Sequence, residues 1–391
     1  MGGLPEGEAA PDDGSLPDSA LGGVGSAPFA VYIHVPFCAV RCGYCDFNTY
    51  APGETSTRPV EYVEAAGAEI ALAGAVLRGA PAVDTVFFGG GTPTLLPSSD
   101  LVALLERVRQ TWGLSDQVEV TTEANPDSVT PESLQVLRGG GFNRISFGMQ
   151  SASPHVLRVL DRTHDPAGVP RAVQWAREAG FEQVSLDLIY GTPGESLADW
   201  RDSLEQALAT GPDHISAYSL IVEDGTALAR RVRKGEVAQP SEDDYADKYL
   251  VADQLLHEAG LSWYEVSNWA RPGAECRHNL HYWRSANWWG IGPGAHSHVG
   301  GVRWWNRKLP TAYAARLAAG LSPAQGREVL APEDREVERV LLQLRLREGL
   351  EWSASTDELE HRHLLKREGN QIVLTQQGRL LADAVVRELL D

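Results

Sequence analysis

Only four cysteines and two methionines occur in the 391 residues of this chain. Three of the four, Cys38, Cys42 and Cys45, crowd into one stretch and Cys276 stands alone, so a disulfide framework is excluded. Basic residues are also in deficit: 34 Lys and Arg face 53 Asp and Glu, a formal charge of −19. A general nucleic-acid binder needs a basic surface to neutralise phosphate, so nucleic acid is not an expected partner. No apolar run approaches the ~20 residues of a membrane span, although peripheral contact with a membrane stays open. The N-terminus lacks the basic and apolar regions of a secretory signal. Thiols that must stay reduced point to the cytoplasm. Residues 1–28 contain no Lys or Arg and are rich in Gly, Pro, Ala and Ser, with Glu6, Glu8, Asp12, Asp13 and Asp18. Such a segment reads as a disordered acidic tail.

What is present is more specific. Cys38, Cys42 and Cys45 follow the apolar run Val31–Val35 with C-x₃-C-x₂-C spacing. Thiolates are soft ligands suited to zinc and to iron–sulfur clusters. A short loop with these gaps can set three thiolates on three corners of a [4Fe–4S] cubane and leave the fourth iron open to a small molecule. Structural zinc takes four protein ligands, and no fourth cysteine lies nearby. Zinc and unligated thiols are the alternatives.

Beyond the tail, apolar runs at Val31–Val35, Thr85–Phe88, Val118–Thr121, Arg144–Phe147, Val184–Ile189 and His214–Leu220 alternate with helical periodicity. The helical stretches are Glu61–Leu77, Leu101–Trp112, Glu132–Leu137, Val169–Ala179 and Leu197–Ala209. Six βα units imply an α/β fold, a parallel sheet with helices outside, and an open partial (β/α)6 barrel. Ligands of such folds sit at the carboxyl ends of the strands. Polar residues recur there: Gly89-Gly-Gly-Thr-Pro-Thr94, Glu123-Ala-Asn-Pro126, Gly148-Met-Gln-Ser151 with Arg162, and Asp187 inside an apolar strand. The glycine run permits close backbone approach to a ligand, but a flexible turn is its plain alternative. It is no phosphate loop, because Gly-Lys-Ser/Thr is missing. Asp187 needs a ligand or a partner to offset its burial, and a core salt bridge is the alternative.

These motifs, with Tyr32-Ile-His-Val-Pro-Phe-Cys38, Asp187-Leu-Ile-Tyr-Gly191, His278-Asn-Leu-His-Tyr-Trp283 and Gly292-Pro-Gly-Ala-His-Ser297, resemble the radical S-adenosylmethionine (SAM) family. The similar branch contains oxygen-independent coproporphyrinogen III dehydrogenases and heme chaperones, and the resemblance runs from about residue 29 onward. It implies that Cys38, Cys42 and Cys45 ligate a [4Fe–4S] cluster whose open iron SAM chelates. It further implies that Tyr32 and Tyr44 pack around cluster and SAM, and that Gly90, Gly91 and Thr92 meet the methionine amino end. Glu123, Gln150, Arg162 and Asp187 would hold the remainder of SAM. The dehydrogenases carry a further cysteine where Phe47 stands here, and a longer structured N-terminal segment. Both departures favour the heme chaperones, with client hemoproteins such as respiratory cytochromes and an external electron donor as partners. A porphyrin-modifying enzyme is the alternative.

The resemblance also points to heme at His278, Asn279, Tyr282 and Trp283, in a segment 271–330 set apart from a barrel over 29–270. His278 or Cys276 could be an axial iron ligand. A hydrogen-bonded structural histidine, a buried thiol and an ordinary aromatic core for the many tryptophans are the alternatives. Residues 331–391 read as a small winged-helix-like α+β domain, as in this family: a helix near Val337–Leu346, a strand at Ile372–Leu374 and a helix over Leu380–Leu390.

Overall fold

The computed structural model describes residues 7–22, 24–353 and 356–390. Its strands, in chain order, are β1 (Glu8–Ala9), β2 (Phe29–Val35), β3 (Val83–Gly90), β4 (Leu114–Ala124), β5 (Arg144–Gln150), β6 (Gln183–Tyr190) and β7 (His214–Ser219). There follow β8 (Ser262–Glu265), β9 (Asn268–Ala270), β10 (Asn287–Ile291), β11 (His296–Val299), β12 (Val302–Asn306) and β13 (Ala324–Val329). Three short strands, β14 (Leu350–Glu351), β15 (Leu365–Glu368) and β16 (Gln371–Leu374), form a separate sheet.

Strands β2 to β7 lie side by side and all parallel, in sequence order. Helices cover the outer face of these strands and the barrel interior takes the inner one, and β2 is buried almost end to end, a largely apolar run. The crossover helices Pro59–Val76, Ser98–Trp112, Pro131–Gly139, Gly168–Ala179 and Leu197–Ala209 fall where the periodicity placed them. Local chemistry fixes their ends. Ser196 accepts from the Asp199 N–H while Asp199 accepts from the Ser196 N–H, a reciprocal cap on Leu197–Ala209. Gly180 closes Gly168–Ala179 in a left-handed conformation, φ 91°. The sheet does not close on itself: β8 and β9 extend it antiparallel beyond β7, and β10 joins it parallel to β2. The architecture is an open partial barrel.

Two expectations need correction. Residues 7–22 and 24–28 are not a loose tail. β1 pairs antiparallel with β13, Arg327 binds Glu8 at 2.6 Å, Arg316 pairs with Asp12, and Ala20 and Val24 enter the core. The acids that lack basic neighbours in sequence find them some three hundred residues away; residues 1–6 lie outside the described residues. Nor is 271–330 a separate unit. β10 to β13 continue the main sheet, and Trp269, Trp289, Trp304 and Trp305 are buried in it, with Trp289 and Trp304 edge to face at 4.7 Å. These rings are core rather than a ligand face.

The C-terminal α+β unit is winged-helix-like. Its antiparallel sheet, ordered β14-β16-β15, packs with helices Pro332–Gln343, Asp357–His361, Gln376–Leu380 and Ala382–Leu390 around Leu344, Leu359, Ile372 and Val385. It docks against β8: Arg379 binds Asp253 at 2.7 Å and lies over the Trp263 ring at 4.5 Å.

Candidate functional site

A cavity of about 530 Å³ opens at the carboxyl ends of the parallel strands, where such folds place their ligands. The loop after β2 brings Cys38, Cys42 and Cys45 to its wall. The loop is held from both sides. Cys38 N–H donates to the Tyr50 carbonyl at 3.1 Å, and Gly43 N–H donates to that of Leu160 at 3.2 Å. Asn48 anchors the returning arm: its amide donates to the Pro293 carbonyl at 2.9 Å and the Lys308 carbonyl at 2.8 Å. The Gly292–Ser297 motif is thus the backing of the cysteine loop. That backing is fixed in turn by Glu69, which accepts from Gly292 N–H at 2.8 Å, Asn306 at 2.7 Å and Tyr313 at 2.5 Å. Burial pushes the Glu69 carboxyl up to about 7.

Burial likewise pushes the Cys38 thiol up to about 11 and raises that of Cys45, a cost that a bound metal cation removes by stabilising the thiolate. Among the described residues, no three His, Cys, Asp or Glu side chains converge closely enough to hold a single metal ion. Three thiols on one cavity wall suit a cluster with one iron left open better than structural zinc, which takes four protein ligands. The close packing of the loop requires the adjoining glycine: a Cβ on Gly91 would lie 2.4 Å from the Phe37 carbonyl oxygen and 3.0 Å from Cys38 Sγ.

The other polar motifs line the same cavity from successive strand ends. Gly90, φ 109°, ends β3 and donates its N–H to Glu123 at 3.1 Å; a Cβ there would strike the His34 ring at 2.6 Å. Thr92 is buried and accepts from the Asn125 amide at 3.2 Å. Glu123, ending β4, is pushed up to about 8, first by burial and then by the charge of Asp187. Gln150, ending β5, holds φ 62° in the left-handed region, the kind of backbone strain that concentrates at ligand sites. Arg162 donates to Asn125 and to the Gly148 carbonyl, each at 2.7 Å, and reaches Cys42 Sγ at 3.6 Å, tying the cysteine loop to β4 and β5. Asp187 forms no ion pair within the described residues. It accepts from the Ser146 hydroxyl at 2.9 Å, and burial raises its pKa against the pull of the Ser216 and Ser146 hydroxyls. Tyr32 hydrogen-bonds His34 at 3.1 Å, and Tyr44 packs on the apolar group of Val156, Leu160 and Leu228.

The opposite wall is built differently. Helix Arg277–Trp283 brings Cys276, His278, Asn279 and Tyr282 to the cavity, but Trp283 does not line it and instead hydrogen-bonds Glu265. His278 is wholly buried with both ring nitrogens engaged, Nδ1 with the Thr85 hydroxyl and Nε2 with the Tyr282 hydroxyl, each at 2.8 Å. Burial drives its pKa down to about 3, so the ring is neutral. The carboxylate of Glu119 takes the backbone N–H of Arg277 at 3.1 Å and of His278 at 3.0 Å. Cys276 is buried, donates to Glu119 at 3.7 Å and has its thiol pKa raised by burial. The expected axial ligand His278 therefore has no free nitrogen to offer iron.

Asn125 stood in a motif already singled out; sequence reasoning missed Asn48, Ser146, Arg144 and Glu119. Arg144 and Glu119 carried a signal, since each is a charge within an apolar run, as Asp187 is; they sit 3.9 Å apart and buried. The others are short polar residues with nothing local to mark them.

The Radical SAM superfamily model matches residues 32–207. The heme chaperone HemW of Mycobacterium tuberculosis is 51% identical over 371 residues, covering 93% of this chain and 95% of that protein. The heme chaperone HemW of Bacillus subtilis is 34% identical, covering 91% and 97% respectively. The solved structure of coproporphyrinogen III oxidase (HemN) from Escherichia coli matches with a TM-score of 0.80 over 95% of this chain and 91% of that one, at 23% identity, and shows the shared fold. No helix of the described residues is long and apolar enough to cross a membrane. From its thiol loop to its C-terminal unit, the chain belongs to the radical SAM superfamily and, within it, to the HemW family.

Proposed function

We propose that this chain is a heme chaperone that holds a [4Fe–4S] cluster and SAM in one cavity and carries heme to client hemoproteins, respiratory cytochromes among them, with an external electron donor serving the cluster. The observation that carries the reading is the convergence of three thiols and the Gly90, Glu123, Gln150, Arg162 and Asp187 set on one cavity, in a chain alike end to end to proteins named heme chaperones. Cys38, Cys42 and Cys45 would ligate the cluster. Gly90, Gly91 and Thr92 would border the methionine end of SAM, and Glu123 and Asp187 supply carboxyl groups whose burial favours pairing with a cation. Arg162 fixes the cysteine loop to the SAM side. With both groups bound, the chemistry available is one-electron cleavage of SAM. The protein's part is to orient the ligands and keep water out.

Phe47 separates this reading from the dehydrogenase one. It stands exposed at the cavity mouth where those enzymes carry a further cysteine. The test is anaerobic reconstitution, followed by parallel assays of coproporphyrinogen turnover and of heme transfer to an apo-hemoprotein. Transfer without turnover is the expected result; turnover to protoporphyrinogen would replace the chaperone by an enzyme.

A further inference from the structure

The two most exposed large apolar side chains among the described residues, Ile221 at 63% and Phe47 at 58%, border the same cavity mouth. Val40 at 50% and Tyr218 at 42% stand beside them. They come from opposite ends of the parallel sheet. Val40 and Phe47 lie on the loop after β2, and Ile221 lies just beyond β7, which carries Tyr218. The gap of the open barrel is therefore edged on both sides by apolar side chains that water now covers. Four such groups around one opening mark a binding surface rather than scattered exposure.

A cation stands beside the mouth rather than in its lining. Arg41 lies between Val40 and Cys42, is exposed, and forms no ion pair with a described carboxylate; among the described residues its hydrogen bond is a long one, 3.4 Å, to the carbonyl of the lining residue Phe47. In a chain of net charge −19 an unpaired arginine at an apolar opening is conspicuous. Asp46 and Glu223 line the cavity too, so Arg41 is the group beside the rim that an anionic edge would seek. The combination calls for a ligand with broad apolar faces and a carboxylate edge. Resting on the heme-chaperone reading, we infer that the carried tetrapyrrole sits at this mouth, its faces against Phe47, Ile221, Val40 and Tyr218 and its propionates toward Arg41, rather than on the His278 helix. That helix offers nothing comparable, because its histidine is buried and doubly hydrogen-bonded.

Hemin titration of the full, reconstituted chain tests this. The rim side chains are exposed, so their variants should fold. Phe47→Asp and Ile221→Asp should each raise the hemin Kd at least about tenfold, and Arg41→Glu about three- to tenfold. Val136→Asp, at an equally exposed apolar position on a crossover helix, should bind as wild type. If wild type binds hemin and the rim variants match it, the placement at the mouth is wrong while the chaperone reading stands; loss confined to His278→Ala would return the heme to the helix. Rim variants that keep hemin affinity but lose heme transfer would make the patch a protein-docking surface and overturn the inference. Failure of the wild type to bind hemin at all would sink the heme-chaperone reading itself.

Discussion

The two walls of the cavity are equally rich in polar motifs and differ in what those residues are doing. On the cysteine side, polar groups are left available. Glu123 and Asp187 carry raised pKa values and form no ion pair within the described residues, and Arg162 Nε is buried without a partner. On the side of helix Arg277–Trp283 most polar atoms have protein partners: both nitrogens of His278, the thiol of Cys276 and both oxygens of Glu119 are engaged, while Nη2 of the neighbouring Arg144 is left without one. A buried polar group that is already paired gains little from a ligand, whereas one left short gains the most. The first wall is built to bind and the second to stand.

Substitutions on the two walls should therefore separate ligand affinity from stability. The largest effect belongs to Arg162→Ala, because Arg162 serves both: SAM affinity should fall at least about a hundredfold, with about 3 kcal/mol of stability lost with its charged hydrogen bonds. Calorimetric titration and chemical denaturation would read the two. His278→Ala should cost about 2–4 kcal/mol of stability by orphaning the Thr85 and Tyr282 hydroxyls, yet change SAM affinity by less than about threefold. A large affinity loss in a folded His278→Ala protein would erase the contrast. Asp187→Asn should behave in the opposite way. The Ser146 contact survives and burial already disfavours the charge, so stability should move by no more than about 1 kcal/mol while SAM affinity falls about tenfold.

The smallest effect is one of pH. Glu265 accepts from Asn268 and Trp283, its other oxygen is without a partner, and burial pushes its carboxyl up to about 8. The folded chain thus keeps a proton that the unfolded chain releases above its ordinary value near 4.5. The stabilisation is whole below that value and is lost as pH rises through about 8. Between pH 6 and 9 this group should remove on the order of 1–3 kcal/mol, read as a falling Tm, and Glu265→Gln should flatten the decline. An unchanged slope in that variant would assign the effect elsewhere, Glu123 being the next carboxyl to examine.

Local pattern reached the parallel half of the fold and little beyond it. β2 to β7 are largely apolar runs, and their helices carry caps such as Ser196 and stops such as Gly180, so each element announces itself within its own residues. β8 to β13 are three to six residues long, β8 to β12 are rich in Trp, His and Asn, and the joining of β10 to β2 and of β9 to β7 depends on partners away in sequence. β1 is legible only through Arg327 and Arg316. The site divides in the same way. Cysteine spacing and the glycine run are local chemistry and could be read, as could the oddity of a charge at Asp187. The engagement of His278 could not, because it depends on Thr85, Tyr282 and Glu119, and two of these lie on other strands. Motif identity said that His278 mattered; only the pairing said how.

The most direct test of the contrast is iron and acid-labile sulfide content, after anaerobic reconstitution, of Cys42→Ala beside Cys276→Ala. Both variants remove one thiol from the lining of the same cavity. Near-complete loss of the cluster in Cys42→Ala, with Cys276→Ala loaded like wild type, is the predicted result; equal loss in both, or retention in Cys42→Ala, would contradict it.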